Sequence, residues 1–259
     1  MDLTLLPYMI IGIFSGMASG VFGIGGGMII VPFMLALGLS SHHAITISVM
    51  QMIFASIFGS YLNYKNKNLI LKDGLIIGLG GFLGAMFSGL LLSYFSDVTL
   101  TSIFLCVSII FFLKFAFNQK STIRNINHSN ILKNSILLIC GIFTGIFAIS
   151  LGIGGGLLIT PILAYFLGYD TKKVVPLSLF FVIFASISGI SSFIYNDIIN
   201  KEVLQNGSLV GLSSMLGVYL GIKIMEKINL KSHYIALLGI YTLSITMTII
   251  SLIKKLNLF

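Results

Sequence analysis

Charge is what this sequence has least of. Asp, Glu, Lys and Arg together make up 8% of its 259 residues, where an average soluble domain carries roughly 25%. Hydrophobic residues make up 57%, and the mean hydropathy is +1.07. A soluble fold of this size could not cover its surface with so few charges, so ordinary soluble domains are excluded and a polytopic membrane protein remains. Carboxylates are scarcer still. The seven acids (Asp2, Asp73, Asp97, Asp170, Asp197, Glu202 and Glu226) fall near the ends of apolar stretches. No catalytic or metal-binding cluster can be built from them, which argues against a metalloenzyme or a nucleotide hydrolase. No enzymatic step and no cofactor are expected. The two cysteines, Cys106 and Cys140, each lie inside an apolar run and read as small buried hydrophobes rather than a disulfide or metal pair. A basic leader region and a small-residue cleavage site are also missing at the N-terminus, so its apolar run is expected to be the first membrane segment. The net charge of +8 does not point to nucleic acid, because the bases sit in short loops between apolar runs. That distribution belongs to membrane orientation.

What the chain does contain is a repeat. Gly23-Ile24-Gly25-Gly26-Gly27 returns as Gly152-Ile153-Gly154-Gly155-Gly156, with Pro32 and Pro161 following at the same distance. Ile53-Phe54-Ala55-Ser56-Ile57 returns as Ile183-Phe184-Ala185-Ser186-Ile187, and Gly78 and Gly84 have counterparts in Gly211 and Gly217. The boundary is a polar stretch holding Lys120, Arg124 and Lys133. The sequence therefore divides into a first transmembrane repeat over 1–117, a linker over 118–133 and a second repeat over 134–259.

Long apolar segments occur near 5–22, 43–64, 74–95, 98–117, 135–151, 174–195, 205–226 and 234–253. Most approach the ~20 residues needed to cross ~30 Å of hydrocarbon. Two shorter pieces, 28–39 and 157–168, follow the glycine turns and are too short to span alone. Each is either the second half of a broken crossing helix or the returning arm of a re-entrant hairpin. Loop charge weighs the two. If each turn merely interrupts a crossing, the bases divide ten to five between the two sides. If each turn is the tip of a re-entrant hairpin, three full crossings remain per repeat and the second repeat is inverted. Lys201, Lys254 and Lys255 then stand alone against the other twelve bases, which obeys the positive-inside rule far better. The expected architecture is an all-α membrane protein of two tandem, inverted repeats, each a glycine-broken helix plus three transmembrane helices. The linker is expected on the cytoplasmic side.

The glycine turns carry the chemistry. Neither continues as Gly-x-Gly-x-x-Gly, because Met28 and Leu157 stand where glycine would be needed, and neither leads into Gly-Lys-Ser/Thr. Nucleotide phosphate loops are thereby excluded. Backbone that leaves a helix inside a bilayer survives only where protein buries it or it lines a wet cavity. The helix restarting after each turn aims its first N–H groups at that place, which favours an anion. Two such turns at a repeat interface suit a midplane transport site. The competing reading is close helix packing through small residues, which fits Gly12, Gly16, Gly20, Gly141 and Gly145. Alanine at Gly12 is accordingly expected to leave transport largely intact.

Residues Gly23-Ile-Gly-Gly-Gly-Met-Ile-Ile-Val-Pro32 and Gly152-Ile-Gly-Gly-Gly-Leu-Leu-Ile-Thr-Pro161 resemble the signature of the TauE/SafE sulfite exporter family of membrane permeases. The resemblance extends over length, duplication and linker position. It implies transport of small sulfur-containing anions, such as sulfite or organosulfonates, across the cell membrane. Members of that family commonly carry a Thr-Ser pair on the helix after the proline. Here those places hold Ile47-Ser48 and Leu177-Ser178, so the serines carry over and the threonines do not.

The candidate binding residues are thus Gly23, Gly25, Gly26, Gly27, Ser48 and Gln51 in the first repeat and Gly152, Gly154, Gly155, Gly156 and Ser178 in the second. The two turns are expected to be equivalent in kind. The hydroxyls serve either their own helix backbone or the substrate, and the Gln51 amide needs partners that a single helix does not supply. His42 and His43, with Lys172 and Lys173 at the matching place, are either a solvated interface group or a proton-sensitive gate. Without a midmembrane carboxylate a carboxylate proton relay is not expected. Coupling to protons by other means, or to sodium held by backbone carbonyls, stays open. Two other classes remain: a non-transporting scaffold or assembly component whose glycines only pack, and a passive anion channel.

Overall fold

The computed structural model describes residues 5–117, 129–169 and 171–256. These residues form eleven helices: α1 (Leu6–Phe22), α2 (Gly27–Ala36), α3 (Ser41–Lys65), α4 (Leu71–Ala85), α5 (Ser88–Tyr94), α6 (Asp97–Phe117), α7 (Asn130–Ser150), α8 (Gly156–Leu167), α9 (Thr171–Tyr195), α10 (Lys201–Lys227) and α11 (Leu230–Lys255). Seven stretches are long and apolar enough to cross a membrane: α3, α4 with α5, α6, α7, α9, α10 and α11. Large apolar side chains such as Phe14, Leu79, Phe143 and Leu216 face outward, while Phe104, Phe181, Phe193 and Tyr241 are buried. An apolar exterior of this kind fits only a lipid solvent. Cys140 is buried as expected, but Cys106 is exposed on α6; an apolar neighbourhood in sequence cannot distinguish a lipid-facing position from a packed one.

The polar residues between helices act as caps. Ser40, Ser129, Asn200 and Asn229 each accept a hydrogen bond from a backbone N–H in the first turn of α3, α7, α10 and α11, satisfying donors that a helix start leaves free. The apolar run 74–95 is broken into α4 and α5, and α9 supplies the repair. Ser192 Oγ donates to the Met86 carbonyl at 2.8 Å and accepts from Gly89 N–H at 3.0 Å, and Ser188 Oγ donates to the Phe82 carbonyl at 2.7 Å.

Small residues set the closest packing. Gly12, Gly16 and Gly20 of α1 lie against α10 at Val210, Ser214 and Val218, and Gly141 and Gly145 of α7 lie against α4 at Ile77 and Gly81. Both pairs run parallel. The contacts correct one expectation: a methyl group at Gly12 would stand 2.6 Å from the Val210 carbonyl oxygen and closer still to Ser213 Oγ. Alanine there forces the helices apart.

Polar contacts sort the helix ends into two groups. At one end, Asp97 at the start of α6 meets Lys255 at the end of α11 (2.6 Å) and accepts from Ser41 N–H at the start of α3. Asn200, before α10, lies 3.4 Å from His43 Nε2. At the other end, Asp73 near the start of α4 meets Lys133 of α7 at 2.7 Å and accepts from the Tyr169 hydroxyl at 2.6 Å. Asn66, after α3, donates to Glu226 near the end of α10, and Tyr234 near the start of α11 donates to the Phe115 carbonyl of α6. Lys133 opens α7 and Tyr169 follows α8, so a single carboxylate holds the two arms of that hairpin together. The α7–α8 hairpin thus opens at the Asp73 end. The α1–α2 hairpin opens at the Asp97 end, since α1 runs parallel to α10 and α2 leads into Ser41. Although α7 has the length of a crossing helix, the chain turns back after it.

Candidate functional site

Glycine permits both turns. Gly23, Gly25 and Gly26 have φ of 67°, 73° and 85°, and Gly152 and Gly154 have φ of 63° and 86°, a region that side chains enter only at a cost. The two pentapeptides meet inside the bundle and pass each other antiparallel. Gly25 faces Gly154, Gly27 abuts the Gly152 carbonyl and Gly156 abuts the Gly23 carbonyl. A methyl group on Gly25 would stand 3.2 Å from Gly154 Cα, and one on Gly27 or Gly156 would collide with the opposing carbonyl. In this conformation the turns are in van der Waals contact.

Both serines serve the opposite turn. Ser48 Oγ donates to the Gly152 carbonyl at 2.8 Å, and Ser178 Oγ donates to the Gly23 carbonyl at 2.7 Å. Neither bonds its own helix, and in this conformation neither hydroxyl proton is available to a substrate. The structure therefore brings all eleven candidate residues into one buried cluster but gives the serines a partner that no inspection of a single repeat could name. The helices α2 and α8 start at this cluster. Each contains a proline at its sixth residue, Pro32 and Pro161, which cannot donate to the carbonyl four residues earlier.

The turns are not equivalent. Gly26, which caps α2, is left-handed, whereas its counterpart Gly155 has the ordinary helical φ of −75°. Beside Gly26 lies the amide of Gln51: a methyl on that glycine would stand 3.0 Å from Oε1 and 3.2 Å from Nε2. Beside Gly155 lies the ring of Phe181 instead, which occupies the position matching Gln51 when Ser48 is aligned with Ser178. Gln51 has no solvent exposure, and neither atom of its amide has a hydrogen-bond partner. Ser19 Oγ, one turn before Gly23, is likewise buried and unpartnered, and the residue at its matching position is Ala148.

The remaining polar candidates lie away from the turns. His42 Nε2 is 2.9 Å from the Leu92 carbonyl and its Nδ1 is 3.7 Å from Asp97. Lys255 Nζ donates to Ser41 Oγ and Thr101 Oγ1. Burial and the bond to Asp73 hold the Tyr169 hydroxyl above its ordinary pKa, so it remains a donor. The pairing of Asp97 with Lys255 and of Asp73 with Lys133 was missed in sequence, because a lone charge at the edge of an apolar run gives no hint of its partner. A cavity of about 20 Å³ lies beside the start of α8, between Phe22, Thr160 and His233. Among the described residues no group of three or more His, Cys, Asp and Glu side chains is placed to hold a metal ion.

Seven apolar stretches able to cross a bilayer, an exterior suited to lipid and two glycine turns meeting within the bundle define a polytopic membrane protein of transporter type. The family model for the sulfite exporter TauE/SafE matches residues 8–248, and the chain belongs to that family. Its relatives include a probable membrane transporter protein of Methanocaldococcus jannaschii, 30% identical over 92% of this chain and 93% of the relative. The probable membrane transporter proteins YdhB and YunE of Bacillus subtilis are 28% and 24% identical, over 84% and 86% of this chain and 90% and 88% of their own lengths. No solved structure matches. The protein is a multi-pass transporter of the cell membrane.

Proposed function

We propose that the protein is a permease for small sulfur-containing anions such as sulfite or organosulfonates, which bind where the two Gly-Ile-Gly-Gly-Gly turns meet. The observation that carries this reading is the meeting itself. Two helix starts, α2 and α8, converge on buried backbone built from glycines, beside an amide with no partner. Free N–H groups and the positive dipole ends of two helices favour an anion. No base lies at this level to overbind it, since every Lys and Arg of the described helices falls within five residues of a helix end. The anion enters as the hairpins part, and the two halves act as inverted repeats that expose the site to opposite sides in turn. Coupling to a proton or to sodium fits the same frame; the Met28 and Leu157 carbonyls, each deprived of its helical donor by Pro32 and Pro161, are backbone oxygens in the first turn of α2 and α8 that a cation could use.

One observation favours a second reading, that of a scaffold. The turns are packed against each other, and packing alone accounts for glycine at Gly27 and Gly156. Flux of sulfite, sulfate, thiosulfate and a C2 sulfonate by purified protein in liposomes separates the readings. Saturable flux supports the permease, unsaturated ion current a channel, and no flux a scaffold.

A further inference from the structure

Taking the anion reading as its premise, the geometry points to a one-sided site: Gln51 orients the ligand, and the site selects a singly charged anion that still carries a hydrogen it can donate, hydrogensulfite rather than the sulfite dianion. Two independent observations lead here.

The first is the amide. Gln51 is fully buried in the middle of α3, and its donor and acceptor are both unsatisfied. Reversing the amide changes nothing, because both atoms lack partners. An orphan of this kind is costly, and its position at the left-handed glycine that caps α2 is where an anion would be drawn. A ligand satisfies Nε2 with an oxygen lone pair and Oε1 with a hydrogen. Fully deprotonated sulfite and sulfate offer oxygens only, so one of them would press against Oε1 and leave it unbonded. A hydrogensulfite ion in its O–H form satisfies both atoms together. In the second repeat Phe181 stands in place of Gln51 and Ala148 in place of Ser19. The second turn therefore closes the site and the first reads the ligand.

The second observation is charge. The helices packed around α3 are α1, α2, α6, α7, α9 and α10. Their titratable charged groups are Asp97 and Lys114, Lys133, Lys172 and Lys173, and Lys201, Glu202, Lys223, Glu226 and Lys227, while α3 itself adds His42, His43 and Lys65. Each lies within five residues of a helix end, and α1 and α2 have none. Helix dipoles supply only fractional charge. The cost of removing an ion from water rises with the square of its charge, so a site without a counter-cation discriminates strongly against a dianion. No Lys, Arg, Asp or Glu side chain of these helices lies at the level of Gln51. The titratable group nearest the turns is His233 of α11, which lines the cavity beside Phe22, Ile24 and Gly156. Sulfonates that do not titrate, compared at both pH values, separate its proton from the ligand's.

The test is thermal stabilisation of the purified, detergent-solubilised full-length protein, since a ligand that binds the folded state raises its melting temperature. Sulfite is titrated one pH unit below and one above neutrality, a range over which it changes from mostly monoanion to mostly dianion. Ethanesulfonate, a monoanion with no hydrogen to donate, is compared with 2-hydroxyethanesulfonate. Sulfite should bind several-fold more tightly below neutrality, and the hydroxylated sulfonate more tightly than the plain one at both pH values. Gln51→Leu should fold with unliganded stability equal to or above wild type, because it removes the orphan, and should bind sulfite about tenfold or more weakly. Phe181→Leu should change sulfite affinity far less. Sulfite binding that strengthens above neutrality, or a Gln51→Leu protein that binds like wild type, overturns the inference while the anion reading stands. Should Gln51→Leu fail to fold, the wild-type pH and sulfonate comparisons decide alone. If no anion stabilises the wild type at either pH, the anion reading falls and the inference falls with it.

Discussion

At the scale of single residues, the site is held by hydroxyls and by missing side chains. Ser48 and Ser178 each give a proton to a buried carbonyl of the other turn. Removing either hydroxyl strands an acceptor away from water, at a cost of about 1–3 kcal/mol. Ser48→Ala and Ser178→Ala should therefore each lower the melting temperature, and the double variant should depart from the sum, because the two carbonyls belong to turns that touch each other. Gly27→Ala and Gly156→Ala are more severe, since the added carbon meets a carbonyl oxygen rather than a flexible side chain. Both proteins should be nearly absent from detergent extracts in a folded, monodisperse form. The glycine pattern was legible in sequence because no other residue adopts these backbone angles easily. The serine crossover was not, since nothing in α3 says which of many carbonyls it will meet. The asymmetry between Gln51 and Phe181 was written in the sequence and is visible only once the two repeats are aligned on Ser48 and Ser178.

At the scale of helices, each hairpin is defined by where its mouth is fastened. Asp73 is buried at 2% exposure and holds both Lys133 and Tyr169. Replacing Lys133 with Met leaves that carboxylate without its cation. The expected loss is up to about 3 kcal/mol, moderated because Lys133 is a third exposed. Tyr169→Phe removes one hydrogen bond and should cost less, about 1 kcal/mol. Asp73→Asn together with Lys133→Met should recover part of the loss, which a double-mutant cycle on melting temperature measures. Ten apolar segments and their approximate extents followed from hydropathy alone, one fewer than the eleven helices observed among the described residues. Hydropathy could not reveal the α4–α5 break, because Ser192, which repairs it, lies a hundred residues away in sequence. Nor could length tell that α7, with its 21 residues, turns back rather than continuing across.

At the scale of the whole molecule, the two ends differ in charge as the loop arithmetic anticipates. Lys201, Lys254 and Lys255 cluster with Asp97 at one end, while Lys65, Lys67, Lys72, Lys114, Lys133, Lys223, Lys227 and Lys231 lie at the Asp73 end. On the positive-inside rule the Asp73 end is expected to face the cytoplasm. In a background without Cys106 and Cys140, Ser129→Cys and Ser232→Cys should resist an impermeant thiol reagent added to intact cells. Ser96→Cys, exposed at the Asp97 end, should react. Labelling of Ser232→Cys with protection of Ser129→Cys would separate the two positions and sink this topology.

The crossed contact between the turns also bears on the order in which the protein is made. When the ribosome has finished the first 117 residues, Gly23 has no hydroxyl to hold its carbonyl and α1 has no α10 to lie against. Ser178 and the glycine-facing surface of α10 are synthesised later, after the linker has been threaded. The first hairpin must therefore wait in the bilayer, unsettled, until its counterpart arrives. A chain truncated within the linker should be cleared by membrane proteases. The same fragment co-expressed with a separate 129–259 chain should persist, because each half completes the other's turn.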